Sequence, residues 1–441
     1  MENLLNPVIV AVLLLCVLCL LKVNVLLSML VSLFVAGIIG GLPLVGDDSI
    51  MRSVIAGVSG NAETALAYVL LGTFASAMAY TGITEILSKK IAKAVGGNKW
   101  ILLTILLVIA CASQNIIPIH IAYIPILVPP LLAMMNKMKL DRRGVACTIA
   151  FGHKAPYIAV PMGFGLIFMG IIRDNINDNA KDFGWKVTVN DITAVNWILA
   201  VAMLIGLAIA VFITYRKPRE YKDIQLEGVH ESEDLTLKYQ HWVTLAAIVV
   251  VVALQIIYGS LPVAALGGLL VMFIFQAVKP KDIDEQFQGG IKLMGFIAFV
   301  MLVAGGFATV LQNTGAVDEL VKSAISLMNG NKWVAATIIT LIGLLVTMGI
   351  GTSFGTVPVL AVLYVPLCHE MGFSPAATIV LMSAAAALGD AGSPASDTTL
   401  GPTSGLNADG QHDHIWDTCV PTFLHFNIPL MIAAIVAAQF L

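Results

Sequence analysis

Apolar stretches of about 16 to 22 residues recur along the whole chain from Leu4 to Leu441, and no stretch of soluble-domain composition interrupts them. A helix that crosses a bilayer needs about 20 apolar residues, and in hydrocarbon every backbone polar group must be satisfied within the protein. Gly, Pro and charge divide the 441 residues into fourteen apolar segments near 4–21, 24–41, 64–81, 100–119, 121–136, 145–172, 192–215, 241–258, 260–278, 293–312, 333–350, 356–371, 375–391 and 420–441. The composition agrees, since 12% of residues are charged against about 25% in soluble domains. The reading is an all-α polytopic membrane protein. Segments 121–136 and 356–371 are short for complete spans and are expected to be re-entrant. Met1-Glu2-Asn3 offers no basic leader, so the first run is expected to stay as a helix.

The chain also repeats itself at a fixed offset of 233. Thr81-Gly82 recurs as Thr314-Gly315, Leu87 and Lys89 as Leu320 and Lys322, Gly97-Asn98-Lys99-Trp100 as Gly330-Asn331-Lys332-Trp333, Pro125 as Pro358 and Pro161 as Pro394. Apolarity alone does not reproduce an ungapped polar tetrapeptide and two prolines. An odd number of crossings per half makes the second half inverted relative to the first, and this parity survives if each half holds a hairpin in place of two spans. The expected layout is therefore two inverted-topology repeats, 1–215 and 241–441, each with about five transmembrane helices, a re-entrant hairpin and a broken helix, joined by a linker at 216–240. Such repeats are the architecture of many secondary transporters.

Charge orients the chain. Lys22 and loops 85–99, 137–144, 216–240, 279–292 and 392–419 hold 17 Lys/Arg, whereas 42–63, 173–191, 313–332 and the termini hold 6. By the positive-inside rule the first set faces the cytoplasm, which puts both termini outside a cytoplasmic (inner) membrane. The linker charges (Arg216, Lys217, Arg219, Glu220, Lys222, Asp223, Glu231, Glu233, Asp234) read as solvated. A net charge of −3 leaves no footprint for nucleic acid. The six cysteines lie mostly in apolar runs and imply no disulfide framework.

Chemistry is expected where helices break. The repeat pairs Ser113-Gln114-Asn115, Pro118, His120 and Tyr123 with Thr347–Thr356, and the stretch from Gly152 to Pro161 with Leu388–Thr399. An ionisable group at membrane depth costs about 2.5 to 3.5 kcal/mol on insertion scales, so each asks for a reason. Asp390, among Gly389, Gly392, Ser393 and Pro394, offers a carboxylate beside hydroxyls and freed carbonyls, a ligand set suited to Na⁺; the same group could carry a proton or cap a half-helix. Lys154, beside His153 in the mirror-image break, either pairs with Asp390, holds a substrate carboxylate or snorkels to the surface. Ser113, Gln114, Asn115, Thr352, Ser353 and Thr356 at the hairpin tips are candidate solute contacts. His412-x-His414 with Asp413 and Asp417 lacks a well-spaced fourth ligand for a metal. The triplet Leu388-Gly389-Asp390 is similar to the GxGD motif of aspartyl proteases, but Ala387 stands at its first Gly, and no HExxH, GxSxG or P-loop pattern occurs. Neither an enzyme nor a nucleotide-driven pump is expected, and the only helper is a coupling ion, Na⁺ or H⁺.

The run GDAGSPASDTT, Gly389 to Thr399, resembles the signature of the NhaC-like sodium/proton antiporter family of the ion transporter superfamily. Its continuation LGPTSGLNADGQHDHIWD is similar to the branch of that family to which amino-acid carriage is ascribed, with histidine the named candidate. The resemblance implies inverted five-helix repeats, elevator-type alternating access, frequent homodimers, and a cation-binding role for Asp390, Ser393, Ser396, Asp397 and Thr398. His153-Lys154 stands where a pure cation exchanger needs no basic anchor. The expected activity is therefore coupling of Na⁺ or H⁺ to a small amino acid, the alternative being Na⁺/H⁺ antiport with no organic substrate.

Overall fold

The structure, a computed structural model, describes residues 6–115, 120–224, 236–317, 319–320, 328 and 330–441. The described residues form helices joined by turns and loops, without strands. Seven helices are long and apolar enough to cross a membrane, or eight if the pair Arg142–Ala159 and Phe164–Asn179, bent by 48°, counts as one broken span. The protein is thus a multi-span helical membrane protein. Each apolar segment read from the sequence carries helix, and 145–172 is split by an unwound Val160–Gly163. Ile50–Gly60, Ile83–Val95 and Asp397–Leu406 are helices that the apolar segmentation passed over.

The 233-residue offset carries into the helix boundaries. Lys99–Asn115 begins 233 residues before Lys332–Ile350, Arg142–Ala159 before Pro375–Asp390, and Phe164–Asn179 before Asp397–Leu406. The first hairpin's return arm, starting at the 3₁₀ turn His120–Tyr123, matches Ser353–Glu370 in the same way. One difference is local: Ile50–Gly60 and Ala62–Thr81 are separate helices, whereas their counterpart Ile283–Asn313 runs unbroken for 31 residues. Asn61 sits at that break and its amide donates to the Met301 carbonyl at 2.8 Å.

Contacts fix the directions of the paired elements. Lys332 donates to the Gly372 carbonyl at 2.5 Å and Tyr364 to the Ile339 carbonyl at 2.8 Å. The arms Lys332–Ile350 and Ser353–Glu370 therefore lie antiparallel as a hairpin, with its tip at Gly351-Thr352. Gly351 takes φ +75°, a left-handed turn that a side chain rarely adopts. The base of the first hairpin, at Asn136, accepts from Arg142 at 2.8 Å. Arg142, at the start of its broken helix, donates to the carbonyl of Leu406 at the end of the other. Beyond the far end of that first broken helix, Phe183 stacks on His369 at 4.1 Å, at the base of the second hairpin. The two broken helices run in opposite directions, and so do the two hairpins.

The three loops 137–144, 216–224 and 407–419, assigned by charge to one face, meet there. Arg142 pairs with Asp409 and Arg219 with Asp417, both at 2.6 Å. Tyr221 accepts from the Arg142 backbone N–H at 3.1 Å, and Lys222 and Gln411 bond reciprocally at 2.8 Å. The described part of the linker is therefore not a freely solvated tether: it is strapped across the ends of both broken helices. Its charges Glu231, Glu233 and Asp234 lie outside the described residues.

Arg142 and Asp409 have side chains 0% and 2% exposed. Breaking such a pair from one side leaves a buried charge and costs about 3 to 5 kcal/mol, whereas replacing both partners is often neutral. Arg142→Met is accordingly expected to lower the melting temperature strongly, and Arg142→Met/Asp409→Leu to recover most of it. Burial alone would raise the Asp409 carboxyl, but the Arg142 guanidinium overrides this and holds it below the usual carboxylate range. A depressed carboxyl stabilises above its unfolded pKa, so this contribution should fade as pH falls through and below the range near 4.

Helix packing follows the small-residue rule of membranes, where close backbone approach replaces the hydrophobic drive. A Cβ on Gly57 would lie 2.1 Å from the Gly305 carbonyl oxygen, and one on Gly290 would lie 2.3 Å from the Thr73 amide nitrogen. Because the obstacle is backbone, Gly290→Ala should separate Ile283–Asn313 from Ala62–Thr81 and cost about 1 to 3 kcal/mol, read as a fall in melting temperature in detergent.

Candidate functional site

The second hairpin and second broken helix meet backbone to backbone. A Cβ on Gly389 would lie 2.2 Å from the Met348 amide nitrogen, and Thr347 donates to the Ala385 carbonyl at 2.6 Å. This contact holds the tip residue Ser353 against the end of Pro375–Asp390. Ala391–Ala395 then unwinds, and Ser396 caps the next half-helix by accepting from the Thr398 amide at 3.1 Å. Asp390 thus lies between the C-terminus of one half-helix and the N-terminus of the next. Its anionic charge at a helix C-terminus is unfavourable unless a cation is close.

That cation is Lys154. Its Nζ pairs with Asp390 Oδ2 and also donates to Ser353 Oγ at 2.9 Å and Tyr157 Oη at 3.4 Å. Ser353 donates to the same carboxylate oxygen at 2.5 Å, while Oδ1 accepts from Ser396 and, at 3.4 Å, from Thr398. Lys154 is 2% and Asp390 5% exposed, so the lysine does not snorkel and the pair is buried. The ammonium also lies over the Tyr157 ring, 4.6 Å from its centroid, and Tyr157 packs on Phe354 of the hairpin at 5.8 Å.

A cavity of about 360 Å³ borders this cluster. Lys154, Ser353, Asp390 and Thr398 line it together with Tyr68, Gln255 and Met301 of other helices. It reaches the surface beside Gly60, Glu63 and Gly259, which are exposed. Beside the second break, His414 bonds both the Pro394 carbonyl and Thr403 at 2.8 Å.

Residues 148–437 match the model of the Na⁺/H⁺ antiporter family, and residues 6–95 match a second model described as a Na⁺-H⁺ antiporter family. The chain belongs to the Na⁺/H⁺ antiporter family. It is 44% identical to an uncharacterized membrane protein of Vibrio parahaemolyticus, across 99% of this chain and all of that one. It is 43% identical to the "Putative amino acid transporter YuiF" of Bacillus subtilis, across 98% and 99% of the two chains. Among solved structures it is similar to the Alcanivorax borkumensis YdaH transporter, with a TM-score of 0.45, 13% identity and coverage of 90% and 89%. Neisseria gonorrhoeae MtrF gives 0.44, 14%, 94% and 94%. As a member of this family the protein is a secondary membrane transporter, not an enzyme.

The residues expected to bind ion or solute fall into three groups. Asp390, Ser396, Thr398, Ser353 and Lys154 converge on one carboxylate. Asp397, Thr352, Gln114 and His153 line the cavity beside them, His153 bonded to Tyr123 at 3.0 Å. Ser113, Thr356, Ser393 and Asn115 are turned elsewhere. Ser113 and Thr356 donate to the Ala110 and Thr352 carbonyls at 2.8 Å, and Ser393 to the Met348 carbonyl at 3.2 Å. The Asn115 amide donates to the carbonyls of Pro156, Val160 and Met162 at 3.3, 3.1 and 2.9 Å, closing the first break from within. Pro118 and the side chain of His120 lie outside the described residues. Tyr157, Tyr68 and Gln255 are additions to the sequence reading.

Proposed function

We propose that this transporter couples Na⁺ or H⁺ to the movement of a small amino acid, and that the Lys154–Asp390 pair is the coupling element. The observation that carries this reading is that both oxygens of Asp390 are already taken, one by Lys154 and Ser353, the other by Ser396 and Thr398. A cation gains this carboxylate only if Lys154 leaves it. A solute carboxylate arriving through the cavity is the group that draws the ammonium away, and the freed Asp390, with the hydroxyls around it, then holds Na⁺ or takes a proton. Each ligand thereby prepares the site of the other, a reciprocal coupling. The name of the Bacillus subtilis relative supports an amino acid as solute.

The positive-inside count supports a cytoplasmic membrane with the Arg142–Asp409 face inward, and so an outward opening of the cavity. Residues 1–215 and 241–441 serve as the inverted halves, and a homodimer is the expected assembly.

A thermal-shift screen of the purified protein with amino acids, with and without Na⁺, tests this. A ligand that binds the folded state raises stability by about 2.7 kcal/mol at 100 times its dissociation constant. An amino acid whose shift grows with Na⁺, or with lowered pH, is the expected result. A shift from Na⁺ alone, every organic solute being silent, would replace the reading with ion exchange.

A further inference from the structure

Among the described residues, one polar atom on each of two cavity-lining residues has no hydrogen-bond partner. Tyr68, 1% exposed, and Gln255, 6% exposed, border the same cavity as Lys154 and Asp390. Among the described residues, the Tyr68 hydroxyl and the Gln255 side-chain carbonyl oxygen meet no hydrogen-bond donor or acceptor and are closed off from solvent. A buried polar atom left unpaired is costly, and two of them on residues lining a transporter's cavity ask for a partner that arrives with the cargo. They also stand on helices Ala62–Thr81 and Tyr239–Tyr258, whereas Lys154, Ser353 and Asp390 come from the hairpin and the broken helices. The charged pair and this neutral polar pair therefore reach the cavity from different helices.

We infer that Tyr68 and Gln255 form a side-chain subsite that selects amino acids whose neutral side chain carries both a hydrogen-bond donor and an acceptor, as an amide or an imidazole does. The inference rests on the proposed amino-acid solute and goes beyond it by assigning cavity-lining residues outside the hairpin and the broken helices. A phenol hydroxyl donates and accepts, and a carboxamide offers N–H on one side and a carbonyl on the other. The subsite therefore satisfies such a side chain and leaves an aliphatic one facing two unpaired polar groups. Glu63, exposed at the mouth, adds a negative charge that disfavours acidic side chains. A site built to hydrogen-bond its ligand rejects an analogue that lacks the group far more strongly than an apolar pocket rejects an extra methylene.

The test is calorimetric titration of the full-length protein with asparagine, glutamine and histidine against methionine and norleucine, with alanine as a ligand that has no distal group. The wild type is expected to bind at least one of the three polar amino acids about tenfold or more tightly than the aliphatic ones. Tyr68→Phe and Gln255→Leu should each shrink that ratio, and the double variant should bring it near one, while alanine affinity stays within about twofold. A purely structural role would change alanine affinity together with the rest. Preference for the aliphatic ligands, or an unchanged ratio in the double variant, overturns the subsite but leaves the coupling reading intact. Silence of every amino acid, alanine included, overturns both.

Discussion

Asp390→Asn is expected to abolish ion-dependent transport, lowering solute uptake by about 100-fold or more in proteoliposomes and removing any Na⁺-dependent stabilisation. The substitution keeps the shape of the side chain and removes its charge, so the hydroxyls of Ser353, Ser396 and Thr398 remain but no longer surround an anion. A stability effect should accompany the loss. Lys154, 2% exposed, is left without its counter-charge, a change that costs about 3 to 5 kcal/mol when a buried pair is broken from one side. The double variant Asp390→Asn/Lys154→Met should regain most of the melting temperature and none of the coupling. Ion-dependent uptake that survives in Asp390→Asn would sink the assignment of this carboxylate.

On the proposed coupling, Lys154→Met is expected to separate net solute uptake from exchange of the coupling cation. Under that coupling, Lys154 cancels the charge of Asp390 when the site is unloaded, and the empty carrier then crosses between the two faces. Without it, the unloaded site holds a bare carboxylate at membrane depth, which insertion scales penalise by about 2.5 to 3.5 kcal/mol, so only the cation-loaded form changes face. Net uptake into empty vesicles should drop by about 50-fold or more, while exchange of the coupling cation across preloaded vesicles continues. Lys154→Arg keeps the charge but not the compact ammonium, and should fall between the two. If net uptake and exchange fall together in Lys154→Met, the lysine is a structural ion-pair partner and not the element that resets the carrier.

Much of the architecture was legible because a bilayer leaves few options. Apolar length gave the helices, the 233-residue offset gave the pairing of hairpins and broken helices, and parity gave their opposite directions. Ile50–Gly60 escaped because polar and small residues dilute its apolar face, and Ile83–Val95 because Lys90 and Lys93 do so. At the site, Asp390 and Lys154 were legible as charges that apolar surroundings do not tolerate without cause. Which hydroxyls face them was not legible, since Ser and Thr in a helix readily turn back onto the carbonyl three or four residues earlier, as Ser113 and Thr356 do. Asn115 was read as a solute contact and instead serves the carbonyls freed by the first break, a role set by a partner more than forty residues away. Tyr157 carried a usable signal, because the repeat places it at the position of Asp390. Tyr68 and Gln255 carried none, each being a single polar group in an apolar helix.

The neutrality of the Lys154–Asp390 pair also decides where electrical work is done. Transmembrane voltage acts on net charge at about 2.3 kcal/mol per elementary charge per 100 mV. The two charges of the unloaded pair cancel, so the pair itself does no work against that field, and Asp397 beside it is a charge outside this balance. A zwitterionic solute adds no net charge when it joins, so only the accompanying cation lets the field pull the loaded form. On the coupling proposed above, the pair leaves the voltage dependence of the cycle to the accompanying cation and to charges outside the pair.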